Sequence, residues 1–113
     1  SLHDALPISD WFVAPPVPLL GIYAALTRQV LDGSLPDGWV PEEKISLEEA
    51  LIGYTLNGAY ASFDEDVKGS LEEGKLADFV VLDKDLFSIN HMEIQNVNVL
   101  FTYTGGSLVY KRQ

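Results

Sequence analysis

The residue pattern of this chain changes from helical to strand-like near Lys68, and this change limits the folds that the chain can adopt. Before Lys68, apolar residues recur every three or four positions, which is the spacing of a helix with a buried face. After Lys68, short apolar runs are separated by glycines and aspartates, as strands are separated by turns. The sequence therefore predicts helices first and a small sheet second.

The first helix is predicted to begin at Pro18. Proline suits the first turn of a helix because its missing N–H would have no partner there. Apolar residues then recur at helical spacing as far as Val30, and the pair Asp32-Gly33 stops the pattern. The stretch 34–41 is predicted to be a loop in which Trp39 packs against a neighbour.

The second helix is predicted to open at Ser46 and to continue to about Phe63. Ser46 and Glu49 have the spacing of a capping box, in which each side chain accepts a hydrogen bond from the other residue's backbone N–H. The apolar residues of this helix lie on two faces, with Leu47, Leu51, Tyr54 and Ala61 on one and Ile52, Leu56 and Phe63 on the other. A helix that is apolar nearly all round needs burial on several sides. The pattern therefore indicates that part of the protein is missing.

The second part of the chain is predicted to form a small sheet. Phe79–Leu82 is a short apolar strand, and 97–104 alternates between apolar and polar residues. A helical turn is predicted between them, over 89–93. Gly105-Gly106 has the composition of a tight turn, and a last strand is predicted at Leu108–Tyr110. The turn and the two strands beside it indicate a hairpin.

Charge and composition exclude several classes of partner. The chain has 113 residues, of which 47% are hydrophobic, as is usual for a folded domain, and its formal net charge is -10. That charge repels nucleic acid and anionic membrane surfaces, and no cluster of basic residues reverses it locally. The longest apolar run, from Phe12 to Leu26, is interrupted by three prolines and a glycine, so no membrane span is predicted.

The chain contains no cysteine, which excludes disulfides and thiolate metal sites. This composition fits a reducing compartment. No basic segment precedes an apolar core, as it would in a secretory signal peptide. We therefore expect a cytoplasmic protein.

Three stretches of the sequence carry a resemblance. They are SDWFVAPP at 9–16 with PLLGIYAA at 18–25, ISLEEAL at 45–51 with Tyr54-Thr55, and GSLEEGKLADFVVLD at 69–83. In this order they resemble the amidohydrolase superfamily, specifically the amidohydrolase family 3 type, which is related to formamide and N-acyl hydrolases. Phe12 departs from that family, which usually has proline there. Residues 1–8 also differ from the strand that the family has before the first motif.

The resemblance implies an α/β fold, namely a distorted (β/α)8 barrel with a small β-sandwich built from both chain ends. The chain would be a C-terminal fragment of this fold. Residues 9–67 would form the end of the barrel, and 68–113 would form the C-terminal part of the sandwich. Asp10 would follow the eighth barrel strand. We expect 1–8 to be a non-native leader and exclude it from the fold.

Asp10 is the candidate catalytic residue and metal ligand. From the sequence alone, an isolated aspartate is more often an exposed turn or capping residue. The resemblance implies instead that a metal-held hydroxide attacks a carbonyl, while Asp10 accepts a proton and passes it to the departing amine. A metal lowers the pKa of bound water, and a nearby carboxylate can carry the released proton. Trp11, Tyr23 and Tyr54 either border a substrate pocket or pack in the core.

The resemblance also implies a cofactor and a substrate class for the intact parent enzyme. The cofactor would be a divalent metal, zinc, and the substrates would be small-molecule amides, formamides or carbamates. The family holds its metal with a His-x-His pair, a carboxylated lysine or its equivalent, and two further histidines. This chain offers only His3 and His91, which lack the spacing of a metal-ligand pair.

The remaining polar residues have structural interpretations. His3 lies in the predicted leader, and His91 is interpreted as a surface histidine. The acidic run 64–66 lacks the ligand pattern of a calcium loop and is interpreted as solvated. The Asp78 carboxylate is predicted to accept hydrogen bonds from turn N–H groups before the first strand.

Two functions remain open from the sequence. The first is a fragment of a metal-dependent amidohydrolase, inactive alone because the histidine ligands are missing. The second is a non-catalytic, acidic α+β interaction module in which Asp10 is a cap. The fragment would expose apolar helix faces and unpaired strand edges and would form homo-oligomers. The module would be a cooperatively folding monomer.

Overall fold

The structure is a computed structural model that describes residues 10–12 and 14–113. The predicted leader 1–8, which includes His3, lies outside the described residues, as does Ser9. Within the described ranges the helices are α1 (Pro18–Thr27), α2 (Leu47–Tyr54) and α3 (Leu56–Ala61), and the strands are β1 (Phe79–Leu82), β2 (Val99–Thr104) and β3 (Ser107–Lys111). A first 3-10 helix spans Pro41–Glu43 and a second spans His91–Asn96. Helices thus come first and the sheet second.

Helix α1 begins at Pro18, as predicted, but ends at Thr27, three residues before the expected end at Val30. Arg28 takes a left-handed conformation with φ 56°, and its N–H donates to the Ala24 carbonyl at 2.8 Å. Its Nε donates to the Trp39 carbonyl at 3.0 Å, and the Trp39 N–H returns a 2.8 Å bond to the Arg28 carbonyl. This pairing across the loop ends the helix early. Trp39 is 67% exposed, with the Arg28 guanidinium 5.5 Å from its ring centroid.

The capping box at the start of α2 is confirmed. The Glu49 N–H donates to Ser46 Oγ at 3.1 Å, and the Ser46 N–H donates to Glu49 Oε2 at 2.8 Å. The prediction of a single helix as far as Phe63 is wrong, because the helical segment divides at Thr55 into α2 and α3. Thr55 has φ -125° and ψ -85°, and its hydroxyl donates to the Leu51 carbonyl at 2.7 Å. A threonine hydroxyl bonded to the preceding turn competes with the helix and bends it.

The strands form an antiparallel sheet in the order β1-β2-β3 within the described part of the chain. Phe79 pairs with Tyr103, and their rings stack with centroids 4.6 Å apart. The predicted hairpin is confirmed, because Gly105 and Gly106 have φ 55° and 79° and connect β2 to β3. Two positive φ values are what a two-residue turn between twisted strands requires, and glycine adopts them without strain.

The helical turn expected over 89–93 lies further along, at His91–Asn96. Asn90 caps it, with its side-chain oxygen accepting the Met92 N–H at 2.9 Å. Asparagine caps a helix well because its side chain satisfies a free N–H of the first turn. As a consequence β2 begins at Val99 and not at Val97.

The core joins the two parts of the chain. Its buried members are Ile22, Tyr23, Leu26, Leu47, Ala50, Leu86, Ile94 and Val97. The second 3-10 helix packs on α1, so Ile94 (0% exposed) meets the α1 residues. Several large apolar residues outside this core remain exposed, among them Phe12 at 85% and Phe63 at 90%. None of the helices in the described ranges has the length and apolarity needed to cross a membrane.

Candidate functional site

A groove of about 680 Å³ lies beside the N-terminal half of α1. The proline-rich bend at 14–17 forms one wall, α1 forms the floor, and the segment 29–32 that follows α1 forms the other wall. Tyr54, from the end of α2, completes the floor. Prolines keep the bend extended because their φ is fixed and they cannot continue a helix before Pro18. The volume is within the usual range of small-molecule pockets.

Gly21 and Tyr54 set the depth of this groove. A Cβ atom added at Gly21 would meet the Tyr54 hydroxyl and would lie 2.8 Å from Tyr54 Cζ. Only glycine therefore lets α1 and the tyrosine approach this closely. Burial raises the pKa of the Tyr54 hydroxyl, so this group stays protonated well above neutral pH.

Asp32 is the one charged residue among the described residues that line the groove. Its Oδ1 accepts the Ser34 N–H at 2.8 Å. This backbone hydrogen bond, together with one from the Ser34 side chain, lowers the pKa of the Asp32 carboxyl, which is therefore ionised at neutral pH. Gln29 lines the same wall, and its amide nitrogen donates to the Pro36 carbonyl. The groove thus has apolar walls with one fixed negative charge.

Asp10 lies four residues before the bend. It is exposed, has a left-handed φ of 48°, which aspartate tolerates, and has no hydrogen bond to another described residue. Within the described residues, it is not part of the groove lining. Trp11 is 67% exposed, meets Phe12 edge to face and is likewise not among the described residues that line the groove. Two of the three aromatic candidates line the groove. Tyr23, which is 1% exposed, also belongs to the core, whereas Tyr54 is half-buried.

Two other acidic residues, Asp64 and Asp78, have structural partners. Asp64 forms a 2.9 Å ion pair with Lys68 and accepts the Ser62 hydroxyl at 2.9 Å. Asp78 Oδ1 accepts the Gly105 N–H at 2.7 Å, so its carboxylate does bond to a turn N–H, but in the turn between β2 and β3 and not in the predicted turn before β1. His91 is exposed on the second 3-10 helix.

The described residues do not fit a metal ion by themselves. They contain no group of three or more histidine, cysteine, aspartate or glutamate side chains that could hold one. A catalytic zinc site takes three protein ligands and leaves one position for water. Asp10 has an exposed carboxylate but belongs to no such group within the described residues.

Two residues of the groove were not singled out from the sequence. From the sequence, Asp32 is only part of a helix stop and Gly21 only an interruption of an apolar run. The signal for Gly21 was present, because glycine in a helix interior costs about 1 kcal/mol relative to alanine and needs a packing or functional reason. The tight contact with Tyr54 supplies that reason.

These features define a mixed helix-and-strand protein with a groove of small-molecule size. A crystal structure of an amidohydrolase from Thermotoga maritima shares this fold with a TM-score of 0.59 and 24% sequence identity. The match covers 84% of this chain and 19% of that chain. The family model described as Amidohydrolase family matches residues 6–110. The chain therefore belongs to the amidohydrolase family.

Two curated relatives are similar to most of this chain. Protein LONG AFTER FAR-RED 3 of Arabidopsis thaliana is 39% identical over 102 residues, which cover 90% of this chain and 17% of that protein. The N-substituted formamide deformylase of Arthrobacter pascens is 36% identical over 91 residues, which cover 80% of this chain and 16% of that enzyme. The chain thus spans about a sixth of the length of these relatives.

Proposed function

We propose that this chain is the C-terminal part of a metal-dependent amidohydrolase that hydrolyses non-peptide C–N bonds in amides, formamides or carbamates. The observation that carries the proposal is the family match over residues 6–110, in a chain that spans about a sixth of its relatives. In this proposal 9–67 completes a (β/α)8 barrel and 68–113 completes the sandwich. The name of the Arthrobacter pascens relative, N-substituted formamide deformylase, supports the substrate class.

Asp10 is the proposed catalytic residue of this chain. Its exposed carboxylate has no hydrogen bond to another described residue and is free to accept a proton at an oxygen atom and return it to a departing amine. We also propose it as one ligand of a divalent metal, zinc. The other ligands would come from outside this chain, because the described residues hold no ligand cluster. The chain alone is therefore expected to be inactive.

The test compares the chain with a longer open reading frame. DNA upstream of the Ser9 codon is sequenced, and the longer protein is expressed and assayed on N-alkylformamides with zinc supplied. The longer protein is expected to release amine, and Asp10→Asn in it to lower kcat by about 10²- to 10⁴-fold. Asp37→Asn, in the exposed loop after α1, is the matched control and is expected to leave kcat unchanged.

Two results would contradict the proposal. The first is metal-dependent turnover by the 113-residue chain itself. The second is a longer protein whose Asp10→Asn variant keeps full activity. A frame that opens close before Trp11 would support the alternative function, the non-catalytic interaction module.

A further inference from the structure

We propose that the groove beside α1 binds the apolar group attached to the nitrogen of the scissile C–N bond. This inference rests on the proposed hydrolysis of C–N bonds and adds which half of the substrate this chain contacts. The other half, on the carbonyl side, would lie elsewhere. The size and the charge of the groove each support this assignment.

The size and chemistry of the groove suit an alkyl or aryl group. Its volume of about 680 Å³ exceeds that of a few carbon atoms, and apolar side chains, among them prolines, valines and leucines, make up most of its lining. Apolar walls favour an apolar ligand because its transfer from water releases free energy in proportion to the area covered. The Tyr54 hydroxyl on the floor adds a protonated hydrogen-bonding group for a neutral amide.

The charge of the groove distinguishes the two halves of the substrate. Hydrolysis of an amide follows RCONHR′ + H₂O → RCOO⁻ + R′NH₃⁺: the carbonyl–nitrogen bond breaks, one water oxygen stays on the acyl carbon, and the nitrogen leaves as ammonium at neutral pH. A groove that holds R must accept a carboxylate after the reaction, whereas one that holds R′ must accept an ammonium. Asp32 is the charged residue among the described residues of the lining. Its carboxylate repels the first product and attracts the second.

The fixed position of that charge strengthens the argument. Asp32 Oδ1 accepts the Ser34 N–H at 2.8 Å, which holds this solvent-exposed carboxylate in one orientation beside the groove. No described lining residue carries a positive charge to offset it. The groove therefore carries one negative charge on an otherwise apolar lining. An alkylammonium ion is complementary to this lining, because it joins a positive charge to an apolar chain.

A binding titration of the 113-residue chain tests this assignment without requiring catalysis. Amide chemical shifts are followed by NMR at pH 7 and low salt during addition of hexylammonium, N-hexylformamide or hexanoate. The first two ligands are expected to shift the amides of Leu20, Gly21 and Tyr54. Hexanoate is expected to bind about three- to fivefold more weakly than hexylammonium. Shortening the alkyl chain should weaken binding about two- to fourfold per methylene.

Two pairs of variants locate the effect. Asp32→Asn is expected to abolish the preference for hexylammonium over hexanoate, whereas Asp37→Asn, outside the groove, is expected to keep it. Gly21→Ala places a Cβ atom against the Tyr54 hydroxyl and is expected to weaken all three ligands about tenfold. Gly58→Ala is the matched helical control, because a Cβ atom there meets nothing within 4 Å. If Gly21→Ala does not fold, the aspartate pair still decides the question.

Equal binding of hexanoate and hexylammonium, an unchanged preference in Asp32→Asn, or no binding of any probe would overturn the inference. These failures are separable from failure of the proposed function. A longer protein that hydrolyses amides while the groove shows no preference refutes only the inference. A groove that prefers hexylammonium in a protein without hydrolase activity refutes the proposed function, and the groove's role in hydrolysis with it.

Discussion

Replacement of Ile94 by alanine is expected to destabilise the chain by about 3–4 kcal/mol. Ile94 is 0% exposed on the second 3-10 helix and belongs to the core against α1. The substitution removes carbon atoms whose burial contributes roughly 2.4 kcal/mol, at about 0.8 kcal/mol each. The cavity left behind adds to this, because neighbouring side chains relax only in part. The sum lies inside the range of about 2–5 kcal/mol for such changes in protein cores.

Urea denaturation followed by circular dichroism measures this loss. With a slope of about 1.5 kcal/mol per molar urea, the midpoint should fall by about 2 M. Met92→Ala is the control on the same 3-10 helix, where the residue is 39% exposed. It should cost less than about 1 kcal/mol. If Ile94→Ala does not fold, Ile94→Val, expected to cost about 0.5–1.5 kcal/mol, replaces it.

The comparison between these two variants decides whether the core has been placed correctly. Ile94 and Met92 are two residues apart, so local propensity affects both similarly. Only the packing of Ile94 against α1 separates them. Equal midpoints for the two alanine variants would refute the packing described above.

Three further outcomes are expected. Ser46→Ala should cost about 1 kcal/mol and lower Tm by about 4 °C, because α2 loses its capping box; an unchanged Tm would contradict this. Gly69→Ala should destabilise more than Gly74→Ala in a thermal melt: both have positive φ, but only at Gly69 does a Cβ atom lie within 2.7 Å of a carbon of α3. Hydrogen bonds from the backbone N–H and the side chain of Asn98 lower the pKa of the Asp83 carboxyl in the folded protein. The ionised carboxylate therefore stabilises the fold at pH values above the ordinary pKa of aspartate. This stabilisation is lost as the pH falls through the lowered pKa of the folded state. Asp83→Asn should therefore lower the urea midpoint more at pH 7 than at pH 3, and an equal effect at both pH values would contradict this.

The features predictable from the sequence were those set by neighbouring residues. Ser46 and Glu49 specify a capping box by spacing alone, and Gly105-Gly106 specifies a tight turn by composition. The early end of α1 was not predictable, because it depends on Arg28 pairing with Trp39 eleven residues away. Helical periodicity continues past Arg28, and tertiary contacts override such a pattern.

The same distinction between local and tertiary features applies to the candidate site. Asp10 was found because a contiguous motif surrounds it, although the structure does not bring it into the groove lining among the described residues. The groove was not found, because Gly21, Asp32 and Tyr54 meet only after α1 and α2 pack together. The charged and apolar residues of each segment can be read from the sequence. That these residues line one groove depends on how the helices pack.

The shared core has a practical consequence for anyone who cuts this polypeptide. The helical segment contributes Tyr23 and Leu47, and the sheet segment contributes Ile94 and Val97, to one apolar cluster. Separate expression of 9–67 and 68–113 would leave each piece with half of an interior open to water. Mixed together, the two pieces should recombine without a covalent link, because each carries the other's missing half. The boundary at Lys68 therefore marks a change in secondary structure, while cooperativity extends across it.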